Sequence, residues 1–154
     1  MQLYGAMTHQ TLSAVLRLLR VQAALDARFS ATLGSVHGLA LNEVLLLMNL
    51  DRAPLGRMRR VDLAAALAMS QSNVTRVTAP LEKVGLVARD VDPRDARVAY
   101  VVLTDAGRQR VHEAVATLDD LSEGAFVDRW SPEEIATLAE LLGRLSSPLP
   151  GNLR

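Results

Sequence analysis

Long stretches of the chain repeat apolar residues at the spacing of one helix face. Residues Thr8 to Phe29 carry such a stripe, formed by Leu12, Val15, Leu16, Leu19 and Ala23. The pattern predicts a long amphipathic helix, which a loop around Gly34 and Gly38 separates from a second helix over Leu41 to Leu50. The second helix is apolar on nearly all sides, which is typical of a helix inside the core.

A compact pair of helices is predicted in the middle of the chain, over Val61 to Met69 and Ser70 to Val84. One side of the second helix repeats apolar residues, and we expect this face to be buried: Val74, Val77, Leu81 and Val84. Its opposite side carries short side chains and one arginine: Gln71, Ser72, Thr75, Arg76 and Ala79. Because Pro80 has no N–H to donate, we also predict a kink in this helix.

Two β-strands are predicted after Gly85. Leu86 to Val91 and Val98 to Leu103 are rich in β-branched residues and roughly alternate, and a charged turn from Asp92 to Arg97 separates them. This arrangement predicts a β-hairpin. A helix pair followed at once by a hairpin is the order of a winged helix-turn-helix, so the predicted fold class is mainly α with a small β-hairpin wing.

Two further helices are predicted to close the chain. Thr104 is placed as the N-cap of the first, whose apolar stripe is formed by Val111, Val115, Leu118 and Leu121. The second has a strong start signal, because Ser131 and Glu134 fit a capping box with Pro132 at the first helical position. Its apolar stripe is formed by Leu138, Leu141, Leu142 and Leu145.

The composition fits one helical domain of 154 residues, since alanine and leucine are abundant and aromatic residues are only 3% of the chain. The absence of cysteine excludes disulfides, thiolate zinc sites and thiol redox switches. The most apolar segment, Leu39 to Leu50, is short and interrupted by polar residues, and no basic stretch precedes an apolar run at the start. We therefore expect a cytoplasmic protein with no membrane partner.

Charge is distributed unevenly, although the net charge of the chain is zero. Arg57 to Arg110 contains ten Lys and Arg against six Asp and Glu, a net charge of +4, and the rest of the chain carries −4. A basic centre with acidic flanks suits a module that faces phosphates, and it equally fits an ordinary solvated surface.

The polar face of the second helix of the pair fits the major groove of DNA. Short side chains let the backbone approach closely, and Arg76 has the geometry to bind a guanine edge with two hydrogen bonds. At the hairpin tip, Arg94 and Arg97 suit the narrow minor groove, with Asp95 holding Arg97 in place. Each feature alone also has a plain structural explanation, as a solvated helix face or as a charged turn that keeps a hairpin soluble.

These residues resemble the MarR family of bacterial winged-helix regulators. The resemblance is carried by residues 70–76 (SQSNVTR), 81–87 (LEKVGLV), 92–97 (DPRDAR) and 103–107 (LTDAG). It implies a homodimer on a palindromic DNA site, with residues 70–76 in the major groove and Arg97, oriented by Asp95, in the minor groove. The DNA-binding residues that the resemblance implies are Ser70, Gln71, Ser72, Asn73, Thr75, Arg76, Arg94, Asp95 and Arg97.

The resemblance also implies an organisation for the single domain of residues 1–154. Helices within residues 8–29 and 105–146 are the N- and C-terminal dimerisation helices, and about 41–103 form the winged helix-turn-helix DNA-binding lobe. Such a protein regulates transcription, usually as a repressor. We expect no enzymatic activity, because the sequence has no Gly-rich phosphate loop and no nucleophile in a recognisable elbow.

Effectors are less well indicated. Family members commonly respond to small phenolic or anionic molecules, and Arg17, Arg20 and His37 are the ligand-binding candidates, each with an equally good structural explanation. Some relatives bind zinc, but His37 and His112 lie 75 positions apart and make a poor motif, so we expect no metal and no cofactor. The alternative function is a winged-helix module that docks an acidic protein partner, which the polar helix face disfavours because docking faces carry apolar anchors.

Overall fold

The computed structural model describes the backbone of residues 2–92 and 95–146 and the side chains of residues 9–91 and 99–145. Within that part of the chain the order of elements is α1 (Gln2–His37), α2 (Leu41–Arg52), β1 (Arg57–Arg59), α3 (Arg60–Ala66), α4 (Gln71–Lys83), β2 (Val87–Asp92), β3 (Asp95–Leu103), α5 (Asp105–Phe126) and α6 (Pro132–Ser146). A 3-10 turn, Pro54–Gly56, joins α2 to β1. The predicted fold class, mainly α with a small β wing, is confirmed.

The chain divides into two compact units, one through Leu118 and one from Asp119. In the first unit the core is aliphatic, and its fully buried side chains include Leu33, Leu46, Leu47, Leu50, Leu63, Val74, Leu81, Val101 and Val111. These residues come from α1, α2, α3, α4, β3 and α5, so one core holds the helix pair against the sheet. Burying each such side chain stabilises the fold by roughly 1.5–3 kcal/mol.

The wing is a three-stranded antiparallel sheet in the order β1-β3-β2. Val87 pairs with Leu103 and Arg89 with Val101 in the hairpin, and Arg57 pairs with Val102 on the other side of β3. The two hairpin strands are confirmed, and they reach closer to the tip than predicted. Strand β1 was not predicted: the segment Asp51 to Arg60, with Pro54 and Gly56, is typical of a connector, and three residues are too few to display a strand pattern.

The first helix is longer than predicted. It continues through Gly34 to His37, and the turn comes only at Gly38, which has a φ of 68°. The prediction that Gly34 begins a loop was therefore wrong. A glycine inside a helix lowers its stability without ending it, whereas a positive φ at Gly38 suits a residue without a Cβ.

Helix α4 is buried along most of the predicted face. Val74, Val77 and Leu81 are buried, but Val84 is 68% exposed, so its prediction as a buried residue was wrong. The helix ends at Lys83, and Val84 occupies the C-cap before Gly85 turns the chain at a φ of 75°. Thr78, which the pattern did not include in this face, is buried instead, and its hydroxyl donates to the Thr75 carbonyl oxygen.

Helix α4 is continuous through Pro80, and the kink stays a prediction.

Helix α5 is tied to its surroundings at its first turns. Thr104 is the N-cap as predicted: its Oγ1 accepts from the Gly107 N–H at 3.0 Å and donates to the Gly85 carbonyl oxygen at 2.7 Å. Further along, the Asp51 carboxylate at the end of α2 accepts from Arg108 and lies 3.1 Å from Nε2 of His112. The beginning of α5 is thus bound both to the wing and to α2.

In the second unit, the predicted capping box of α6 is confirmed. The Ser131 N–H donates to Oε2 of Glu134 at 2.9 Å, and the Glu134 N–H donates to Oγ of Ser131 at 3.2 Å. Hydrogen bonds from its own backbone N–H and from Ser131 lower the pKa of the neighbouring Glu133 below its usual 4.5. Phe126 and Trp130 pack edge to face with their ring centroids 5.9 Å apart.

Candidate nucleic-acid interface

The start of α4 is fixed by a side-chain cap. Ser70 has an extended backbone, with φ −73° and ψ 154°, and its Oγ accepts from the Asn73 N–H at 3.2 Å. The same Oγ lies 3.0 Å from Oγ of Ser72. Since the first N–H groups of a helix have no partner inside it, this cap holds the helix start in a defined geometry.

The six polar residues predicted to enter the major groove share the exposed side of α4. The buried side of the helix is held in the core by Val74, Val77 and Leu81. The residues left exposed at the N-terminal half are Ser70, Gln71, Ser72, Asn73, Thr75 and Arg76. All six are exposed at the start of the helix: Gln71, Ser72, Thr75 and Arg76 lie on the face that the periodicity places opposite the buried side, and Ser70 is the cap before the helix.

Several of these side chains bond to one another or to their own helix. Arg76 donates from Nη2 to Oδ1 of Asn73 at 3.2 Å. Thr75 donates from its hydroxyl to the Gln71 carbonyl oxygen at 3.0 Å. The polar face is thus partly ordered before any partner binds, and these bonds cannot be read from the sequence because each residue has several rotamers to choose from.

At the wing, the structure adds basic residues that the sequence analysis did not single out. Arg57 on β1 lies 4.7 Å from the centroid of the Tyr100 ring and donates to Asp90 at 3.2 Å. Arg59 on β1 and Arg89 on β2 are exposed on the two strands that flank β3. The run of arginines from Arg57 to Arg60 was the available signal, but without β1 its place beside the wing could not be known.

The three residues predicted at the wing tip, Arg94, Asp95 and Arg97, lie outside the described side chains. The backbone assigns Asp95 and Arg97 to β3, which pairs with β2 up to Asp92.

The candidate ligand residues are not brought to one place. Arg17 and Arg20 are exposed on α1 and line a shallow groove with Leu12 and Leu16. His37 lies 17 residues further along the same helix, about 25 Å away at 1.5 Å per residue. Its Nε2 is 2.8 Å from Oγ1 of Thr117 on α5. His37 therefore has a structural partner inside the protein.

The described side chains include no group of three His, Cys, Asp or Glu that could hold a metal ion. Among the described helices, none alone is both long and apolar enough to cross a membrane. The part of α1 from His9 reaches the length and hydropathy of a membrane span only when it is counted together with α2, and the chain bends by 77° between these two helices.

The comparisons with known proteins agree with this architecture. The sequence model of the MarR family matches residues 39–99. A MarR family transcriptional regulator from Streptomyces coelicolor, solved in complex with DNA, is similar with a TM-score of 0.82 and 26% identity, over 91% of this chain and 88% of that chain. The middle of the chain is thus similar in sequence to the MarR family, and its fold is that of a MarR-family winged helix-turn-helix transcriptional regulator.

Two further proteins are similar to this chain. BpsR from Bordetella bronchiseptica, whose DNA binding is regulated by 6-hydroxynicotinic acid, has a TM-score of 0.75 and 28% identity, over 88% of this chain and 98% of its own. A protein from Thauera aromatica assigned as a transcriptional regulator for the hcr operon is 36% identical over 98 residues. That match covers 60% of this chain and 57% of the relative, which is less than two thirds of the relative's length.

Proposed function

We propose that this protein binds a palindromic DNA operator as a homodimer and represses transcription by occluding a promoter. The observation that carries the proposal is the exposed face of α4, where six polar side chains lie beside a capped helix N-terminus. A face of this kind fits the major groove, and the sheet supplies Arg57, Arg59 and Arg89 as candidates to bind phosphates.

The homodimer is supported by an apolar stripe on α1 that the described part of the chain leaves uncovered. Leu12, Val15, Leu16 and Leu19 are all exposed, although leucine and valine at helical spacing normally face a partner. A second copy of the chain supplies the same stripe and fits a two-fold arrangement. Two-fold symmetry in turn predicts two half-sites about one helical turn, roughly 34–36 Å, apart.

The test of the DNA-binding proposal is selection from random duplex DNA at fixed, near-physiological salt, followed by sequencing of the retained fraction. We expect an enriched inverted repeat. Weak, sequence-independent retention that disappears with added salt contradicts the proposal and favours the docking of an acidic protein partner.

Two substitutions separate base reading from backbone binding. Replacing Arg76 with Ala should relax base preference at one position per half-site, because arginine binds guanine with two hydrogen bonds. Replacing Arg97 with Ala should weaken binding to all sequences more evenly. Affinities for the selected operator and for single-base variants, measured at matched salt, check both expectations, and unchanged affinity in both variants contradicts the assignment of recognition helix and wing.

We further propose that a small phenolic or anionic molecule releases the protein from its operator. The support is the similarity to BpsR, whose DNA binding responds to 6-hydroxynicotinic acid. Adding aromatic carboxylates and phenols to the preformed complex should dissociate it for at least one of them. If none of a panel changes affinity, the proposed release is contradicted while DNA binding stands.

A further inference from the structure

Asn73 and Arg76 are linked on the exposed face of α4. Oδ1 of Asn73 accepts from Nη2 of Arg76 at 3.2 Å. Residues three apart are neighbours on a helix surface, so the two side chains reach each other without leaving the face that fits the major groove. Both are exposed, which leaves their outer edges open to a ligand.

The bond leaves the two side chains with different hydrogen-bonding groups for a base. A guanidinium has five N–H donors in a planar fork, so donating one to Asn73 leaves a pair for O6 and N7 of a guanine. Asn73 reads adenine by offering its carbonyl and its amide together, and here the bond from Arg76 uses one of the two lone pairs of the carbonyl oxygen and fixes the orientation of the amide. An arginine that is already held also loses less conformational freedom when DNA binds.

The neighbouring polar groups are committed to the helix itself. The Thr75 hydroxyl donates its hydrogen to the Gln71 carbonyl oxygen, and Oγ of Ser70 accepts from the backbone of Asn73. Thr75 is left with an acceptor and a methyl group to present outward. Arg76 keeps several uncommitted donors, and a guanine edge consists of two acceptors.

We propose that Asn73 is a positioning residue: it holds the Arg76 guanidinium for a guanine in each half-site and does not itself read a base. This inference rests on the proposed DNA-binding function. It changes the role predicted for Asn73 from a base contact to a support for one.

The experiment is a double-mutant cycle on the operator obtained by selection. Equilibrium affinities are measured for the wild type, Asn73→Ala, Arg76→Ala and the double variant, using operator DNA with guanine or 7-deazaguanine at the Arg76 position. The analogue lacks the N7 acceptor and therefore reports on the two-bond contact. The cap survives in Asn73→Ala, because Ser70 accepts from the backbone of residue 73, and circular dichroism checks the helix content.

We expect Arg76→Ala to lose roughly 25-fold or more in dimer affinity, because one such contact gives about 5- to 150-fold and the homodimer loses one in each half-site. Asn73→Ala should lose at least about twofold but less than Arg76→Ala, and nothing further when Arg76 is already alanine. The 7-deazaguanine operator should cost the wild type more than it costs Asn73→Ala.

The matched control is Gln109→Ala on α5, an exposed amide that donates to Glu113 one turn away. It should leave operator affinity unchanged. The inference is overturned if Asn73→Ala costs the same whether or not Arg76 is present, since Asn73 then reads a base directly, or if Asn73→Ala has no effect at all. A wild type that selects no inverted repeat overturns the proposed function together with this inference, whereas a failed cycle on a selected repeat overturns the inference alone.

Discussion

At the scale of single residues, the start of α5 explains why threonine and glycine stand three positions apart. Thr104 uses its hydroxyl twice, as the acceptor of the Gly107 N–H and as a donor to the Gly85 carbonyl oxygen. These two hydrogen bonds bring the first turn of α5 against Leu86, the residue before β2. A Cβ on residue 107 would lie 2.0 Å from the Leu86 carbonyl oxygen. Gly107 is therefore required by space and not by backbone conformation.

Replacing Gly107 with Ala should destabilise the protein by about 1–3 kcal/mol, at the upper end because a backbone carbonyl cannot rotate out of the way. The measurement is the free energy of unfolding from chemical denaturation. Gly34→Ala is the control, since Gly34 lies inside α1 and a Cβ there would meet no neighbouring group within 4 Å. It should stabilise by up to about 1 kcal/mol through helix propensity, and equal effects of the two changes would contradict the close contact.

At the scale of elements, the sequence predicts structure well wherever a local chemical signal marks it. The capped starts of α5 and α6 and the alternation in β2 and β3 depend on neighbours in the chain, and all are found. Strand β1 and the burial of Thr78 depend on distant partners, the strand β3 and the core. Likewise, the exposed positions on α4 follow from helical periodicity. The hydrogen bond between Asn73 and Arg76, in contrast, depends on which rotamers the two side chains adopt.

The link between α2 and α5 also depends on the folded structure, because Asp51 lies far in the sequence from its partners Arg108 and His112. Replacing Asp51 with Ala should reduce the free energy of unfolding by about 1 kcal/mol, because Arg108 and His112 lose their shared acceptor. The loss is modest since the Arg108 side chain is 43% exposed and screened by solvent.

Asp90→Ala is the matched control, because its ion pair with Arg57 is exposed on both sides. It should cost less than about 0.5 kcal/mol. High salt should reduce the difference in free energy of unfolding between the Asp51 and Asp90 variants, because it screens ion pairs. An Asp51 variant as stable as the Asp90 variant would show that the α2 to α5 link adds no stability.

At the scale of the whole molecule, the apolar stripe of α1 bears on assembly. Replacing Leu16 and Leu19 with Glu should weaken the proposed dimer at least about 100-fold, since each leucine loses roughly 1.5–3 kcal/mol of burial and a charge replaces it. The molar mass in light scattering should fall towards the 16.7 kDa of one chain.

Leu55→Glu is the control for this change. Leu55 is 83% exposed in the turn before β1 and does not belong to the stripe, so the variant should keep the mass of the wild type. If the α1 variant also keeps that mass, the stripe is not the dimer interface. If its mass falls to that of one chain, operator affinity measured on the same samples shows whether one copy binds alone.

The two sides of α4 are under different constraints, one from the core and one from solvent. Val74, Val77 and Leu81 preserve the scaffold, while Gln71, Ser72 and Arg76 face away from it. Substitutions on the outer side should therefore cost little stability. If the proposed DNA-reading role holds, gene duplication followed by a few such point mutations would give related regulators separate targets while each intermediate stays folded.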